Sequence, residues 1–87
     1  AFVVDLSPLR KFVLLGTDAD ELINYTLTRN VKKLSVGQVV YSSMCYENGT
    51  MFDDGTLLKL SDHGFRWVCG DAYAGEWLKE QAKKKNL

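Results

Sequence analysis

Tyr46-Glu47-Asn48-Gly49-Thr50-Met51-Phe52-Asp53-Asp54-Gly55 joins a chain reversal to a pair of carboxylates inside an otherwise apolar strand. Asn48 and Gly49 both tolerate positive φ, so a type I′ turn is expected there, with a strand on either side. Side chains alternate faces along a strand. Phe52, Asp54, Thr56, Leu58 and Leu60 should therefore share one face, with Met51, Asp53, Leu57 and Lys59 on the other. Asp54 falls on the more apolar face, where an ionised carboxylate loses hydration that hydrogen bonds or a cation must replace. Alternation alone leaves two readings open. Asp54 is held for a ligand, or Asp-Asp-Gly is bulge and turn chemistry, in which short acidic side chains bond nearby amides.

Working outward, Val39 to Tyr46 reads as the strand that enters the turn, reached from Leu34 through Gly37. Lys11-Phe12-Val13-Leu14-Leu15 is β-branched and aromatic and stops at Gly16. Thr17 should then cap a helix, pairing with Asp20 in a capping box, while Asp18, Asp20 and Glu21 complement the positive end of the dipole. Ala19, Leu22, Ile23 and Leu27 recur at helical spacing as its buried stripe. Beyond the second strand, Asp62-His63-Gly64 turns the chain into Phe65 to Cys69. Gly70-Asp71 breaks that strand, and Asp71 caps a final helix with Tyr73, Trp77, Leu78 and Ala82 on its apolar face. The order strand, helix, three strands, helix predicts an α+β fold: an antiparallel sheet with two helices packed on one face.

Composition narrows the function classes. The 87 residues are 46% hydrophobic, as in an ordinary globular chain, and one domain is expected. Eleven basic and eleven acidic residues cancel, so no long-range field draws nucleic acid or an anionic membrane, and neither is expected as a partner. No apolar run approaches the roughly 20 residues that span a bilayer, and the first residues lack a signal-type pattern, so the expected location is cytoplasmic. Cys45 and Cys69 have no Cys-x-x-Cys spacing and no histidine cluster, and read as buried thiols, with neither a metal nor a disulfide implied. His63, the single histidine, sits in a turn and is assigned no catalytic role. Tyr41, Tyr46, Phe52, Phe65 and Trp67 fall on adjacent strands, either as a core face or as a stacking wall for a flat ligand. Tyr41 and Tyr46 each need a hydrogen-bond partner if buried. Lys83, Lys84 and Lys85 favour the negative end of the last helix and should spread into solvent.

The order of short motifs carries a family resemblance. Asp5-Leu6-Ser7, Leu27-Thr28-Arg29-Asn30-Val31-Lys32-Lys33-Leu34, Gly37-Gln38, Glu47-Asn48-Gly49 and Asp53-Asp54 follow one another as in the folate-binding domain of the aminomethyltransferase family, that of the glycine-cleavage T-protein. The family pattern runs Asp-Val-Ser, Leu-Thr-Asn-Asp-Val, a Leu-x-x-Gly step and a hairpin with two aspartates. The resemblance covers nearly the whole chain. It implies tetrahydrofolate as cofactor and one-carbon transfer as activity, with Asp54 as the catalytic, folate-facing carboxylate, and Asp53 and Tyr46 as supporting contacts. Three positions depart from the T-protein pattern. Gly49-Thr50 replaces Gly-Gly, Gly55 stands where a bulky apolar residue is usual, and Pro8 stands where T-proteins often carry His. These departures suit relatives that attach the same domain to demethylases or to sarcosine- and dimethylglycine-oxidising enzymes.

Family members run to several hundred residues, so residues 1–87 are expected to form a single domain that is a fragment of the folate-binding domain, inactive by itself. A non-catalytic binding or structural module on the same scaffold is the alternative. An uncovered sheet edge and the apolar Phe2-Val3-Val4 segment predict a homodimer formed by strand exchange.

Overall fold

The computed structural model describes all residues 1–87. Strand β1 (Arg10–Leu15) leads to helix α1 (Ala19–Thr26) and a short 3-10 turn (Val31–Lys33); strands β2 (Val39–Cys45), β3 (Met51–Ser61) and β4 (Gly64–Cys69) then precede helix α2 (Tyr73–Lys85). The sheet order is β1-β4-β3-β2, and every neighbouring pair is antiparallel. The meander β2-β3-β4 and the two helices on one face are the α+β arrangement expected from the turn signals.

Rows of opposed residues show which face is buried. Phe12, Trp67, Leu57 and Val40 stand opposite one another across all four strands, and Leu14 opposes Phe65. These residues meet Ile23 of α1 and Trp77 and Leu78 of α2, with Leu27, Val31, Leu34 and Met44 closing one end. Leu34 is buried and anchors the connection into β2. The opposite face carries no element. Its rows are Val13, Arg66, Leu58 and Val39, then Lys11, Val68, Thr56 and Tyr41. No helix is long and apolar enough to cross a membrane.

Several local expectations need correction. The hairpin after β2 is not type I′, because only Gly49 takes a positive φ, +88°. Gly49 N–H donates to Tyr46 O at 2.9 Å and Tyr46 N–H to Thr50 O at 2.8 Å. That is the three-residue loop in which a left-handed glycine follows a turn centred on Glu47-Asn48. Asp18, not Thr17, flanks α1, and no side chain caps it, so the capping box does not form. On α2 the buried residues are Ala74, Trp77, Leu78 and Gln81, a stripe rotated one position from Tyr73 and Ala82. Asp71 does serve the helix start, its Oδ1 accepting Tyr73 N–H at 2.9 Å. Lys84 pairs with Glu47 and Lys85 lies over the Tyr25 ring, so two of the three lysines are engaged rather than free.

The largest correction is a β-bulge. Met44 opposes Asp53 while Cys45 opposes Met51, which leaves Phe52 without a partner. The extra residue lets Phe52 and Asp53 both turn toward the helices, so Phe52 joins Tyr73 and Trp77 of α2 instead of sharing the face of Asp54. The face of Asp54 is therefore the open one, and the apolar face is that of Leu57.

Candidate functional site

Strand alternation sends two adjacent carboxylates to opposite sides of one sheet, and the bulge before them sets Asp54 on the open side. Asp53 faces the helices, where its Oδ2 accepts Asp71 N–H at 2.9 Å and its Oδ1 accepts Asp54 N–H at 2.9 Å. It ties β3 to the amino-terminal end of α2, a position where the helix dipole favours negative charge. It also stands beside Cys69, whose thiol is pushed up to about 11, first by burial and then by the Asp53 carboxylate. Cys69 is a buried, protonated, unreactive thiol, as its reading from sequence had it; Cys45 is only half-buried.

Asp54 lies opposite Ser43 on the open face. The Tyr41 hydroxyl donates to Asp54 Oδ2, and Asp54 Oδ1 receives no hydrogen bond from the chain. The Tyr41 phenol is held above its ordinary range, chiefly because the bond to Asp54 stabilises its protonated form, with burial and the carboxylate charge adding to it. A half-buried carboxylate with one oxygen pinned and the other free can accept a hydrogen bond from a ligand N–H and favour positive charge there.

Tyr46 stands elsewhere. Its ring packs on Phe52 at 4.7 Å and edge-on to Trp77 at 5.3 Å, on the helix side. The structure thus separates Asp54 from Asp53 and Tyr46, and brings Tyr41 to Asp54 instead. The sequence reading named Tyr41 but did not pair it with Asp54, because without the bulge it would stand opposite Gly55, and Asp54 opposite Ser42 on the covered face. Counting back from buried Met44 would have recovered it, since residues 43 and 41 must then point outward.

Two further features frame this corner. Gly55 lies between Ser42 and Cys69, and a Cβ on it would run into the Val68 carbonyl, so only glycine lets β3 and β4 close next to Asp54. The segment after α1 grips β2: Thr28 N–H donates to Ser43 O at 3.2 Å, and Arg29 Nε to Tyr41 O at 3.0 Å. On the helix side, a cleft beside Tyr46 is lined by Thr26, Cys45, Trp77 and Gln81. Trp77 Nε1 and Gln81 Oε1 have no partner there, and sequence reasoning passed over Gln81. No group of three or more His, Cys, Asp or Glu stands together to hold a metal, and His63 is exposed at its hairpin tip.

This architecture is found within a glycine-cleavage aminomethyltransferase. The crystal structure of the glycine cleavage system aminomethyltransferase T from Bartonella henselae matches it with a TM-score of 0.82 at 30% identity, over 90% of this chain and 22% of that one. Residues 1–86 match the GCVT N-terminal domain, and the chain belongs to that family. It is 51% identical over 85 residues to the trimethylamine-oxide aldolase of Ruegeria pomeroyi, covering 98% of this chain and 11% of the relative. It is 39% identical over 91 residues to the aminomethyltransferase of Symbiobacterium thermophilum, covering 100% of this chain and 24% of the relative. Against the sarcosine oxidase subunit alpha of Corynebacterium sp. strain P-1 the identity is 36% over 81 residues, covering 90% and 8%. The chain spans under a quarter of the length of each of these curated relatives.

Proposed function

We propose that this chain supplies the tetrahydrofolate-facing carboxylate of an enzyme that passes a one-carbon unit to tetrahydrofolate, and that Asp54 is that carboxylate. The observation that carries the reading is the free Oδ1 of Asp54 on an open sheet face, in a chain of the GCVT N-terminal domain family. Folate, when bound, supplies the nitrogens that carry the one-carbon unit. Asp54 would accept a hydrogen bond from one of them, hold it in reactive geometry and stabilise positive charge nearby. Asp53 contributes by fixing the bulge that aims Asp54, and Tyr46 by packing the strand end, rather than by touching the ligand.

The donor class follows from the relatives. Trimethylamine oxide and sarcosine, named for two of them, both carry methyl groups on nitrogen. Together with the departures at Pro8, Thr50 and Gly55, they favour an N-methyl amine as donor over the substrate of a T-protein. The same face predicts the behaviour of these 87 residues alone. With Asp54 on an open surface, bound folate stays largely hydrated, so affinity is weak, on the order of a millimolar, and transfer does not occur. Two unbridged thiols support a cytoplasmic setting. A second copy of the chain is the proposed macromolecular partner, through the outer edge of β1.

Heteronuclear NMR titration of this chain with tetrahydrofolate tests the reading. Shifts should concentrate at Tyr41, Ser43, Asp54 and Thr56 and vanish in Asp54→Asn. Shifts confined to the helix side, or unchanged in Asp54→Asn, would overturn it.

A further inference from the structure

We propose that Tyr41 is the positioning residue of this site: its hydroxyl locks the Asp54 carboxylate so that Oδ1 alone is presented to the ligand amine. The inference rests on the reading of Asp54 as the folate-facing carboxylate and extends it to a residue that neither the family motifs nor the alternation pattern marks.

The geometry carries it. Tyr41 and Asp54 sit on adjacent strands, one register step apart on the open face, because Tyr41 opposes Thr56 and Ser43 opposes Asp54. The Tyr41 O–H to Asp54 Oδ2 bond is the only side-chain hydrogen bond that either group makes within the chain. A free aspartate on an open face would sample several rotamers. Fixing one of them removes an entropy cost that ligand binding would otherwise bear.

Tyr41 is itself held. Arg29 Nε donates to its backbone carbonyl at 3.0 Å, and Leu27 bridges to Met44 three residues on. Arg29 stands in the Leu-Thr-Arg-Asn-Val segment, so that segment reaches the site through the backbone of β2. The phenol's raised titration agrees with donation to an ionised partner. A tyrosine suits the task, since a hydroxyl on a rigid ring can hold one carboxylate oxygen and leave the other without a partner.

The test has two arms. In the first, the Tyr41 ring carbons of this chain are followed by NMR through an alkaline titration, without ligand. Asp54→Asn should lower the Tyr41 midpoint toward that of an ordinary tyrosine while the other three tyrosines keep theirs; an unchanged midpoint would overturn the proposal. In the second, tetrahydrofolate affinity is compared for the wild type, Tyr41→Phe, Asp54→Asn and the double variant. Tyr41→Phe, which keeps the ring, should weaken binding about five- to tenfold, as expected for one charge-assisted hydrogen bond acting indirectly. The double variant should bind no worse than Asp54→Asn. Independent, multiplicative losses would show that Tyr41 acts on the ligand directly and would overturn the positioning role. If Asp54→Asn leaves folate binding intact while the first arm succeeds, it is the folate reading that fails and the Tyr41–Asp54 pairing that stands.

Discussion

The two faces of this sheet are made from the same strands and behave as different materials. The covered face is a continuous row of large side chains, Phe12, Trp67, Leu57 and Val40, closed by α1 and α2. The open face mixes Val13, Val39 and Leu58 with Lys11, Arg66, Thr56, Tyr41 and Asp54, and nothing lies on it. Stability resides on the first face, and the proposed ligand chemistry on the second. The bulge at Phe52 is where the chain assigns its adjacent aspartates to one or the other.

The sharpest way to break this contrast is to remove a large side chain from each face. Trp67 is 0% exposed and Val13 55%. Trp67→Ala should cost about 3–5 kcal/mol, enough to unfold a domain this small, whereas Val13→Ala should change stability by less than about 0.5 kcal/mol. Urea denaturation followed by circular dichroism measures both. Comparable losses would mean that the open face is also a stabilising surface.

The aspartate pair gives the next largest effect and should invert between two measurements. Asp53→Ala removes an acceptor from Asp71 N–H at the start of α2, and should cost about 1–2 kcal/mol, in the range of a lost helix cap. Asp54→Ala should be close to neutral for stability. For tetrahydrofolate contact the order reverses: Asp54→Asn should remove it, and Asp53→Asn should leave most of it. A variant pair that moved together in both assays would show that the two faces do not separate the two roles.

A pH titration probes the covered face without a change of side-chain shape. The Cys69 thiol rises from 9.0 to about 11 in the folded chain, so between those values the unfolded chain releases a proton that the folded chain retains. Stability from this group is therefore complete below pH 9 and is lost as pH climbs toward about 11. Cys69→Ala should flatten that fall, while Cys45→Ala, at a half-buried position, should not. A fall of equal steepness in Cys69→Ala would remove Cys69 as its cause.

Much of the fold was legible because its punctuation is chemical. Gly16, Gly49, Asp62-His63 and Gly70-Asp71 each stop or reverse the chain, and between them the apolar runs have little choice of partner. The site was less legible, for one physical reason. Alternation carries no mark of an inserted residue, and a bulge exchanges faces for everything on one side of it. Phe52 was therefore read with Asp54, the open face was read as apolar, and Tyr41 was left among the core candidates. The helix side failed more mildly. Gln81 on α2 is 1% exposed where Ala82 was expected to be covered, because a stripe read from apolar residues alone cannot see a buried amide.

The smallest effect on stability, and the last test of the comparison, concerns the outer edge of β1. Phe2, Val3 and Val4 are 88%, 99% and 61% exposed, so deleting residues 1–4 removes almost no buried surface and should leave the unfolding midpoint unchanged. The chain turns immediately after them: Asp5 Oδ1 accepts Ser7 N–H at 2.9 Å, and Leu9 N–H donates to Leu6 O at 3.0 Å. β1 pairs only with β4, so the hydrogen-bonding groups along its other edge have no strand partner. An exposed apolar segment in a chain with an unpaired sheet edge fits strand exchange between two copies, in which each Phe2-Val3-Val4 adds to the other's β1. Arg10 and Lys11 at the start of that edge weaken the pairing by like-charge repulsion and keep it modest. Sedimentation equilibrium should show a dimer at high micromolar concentration that disappears when residues 1–4 are removed. A monomer mass throughout that range would mean the charged edge suffices to keep copies apart, and a dimer that survived the deletion would move the contact to the apolar residues of the open face.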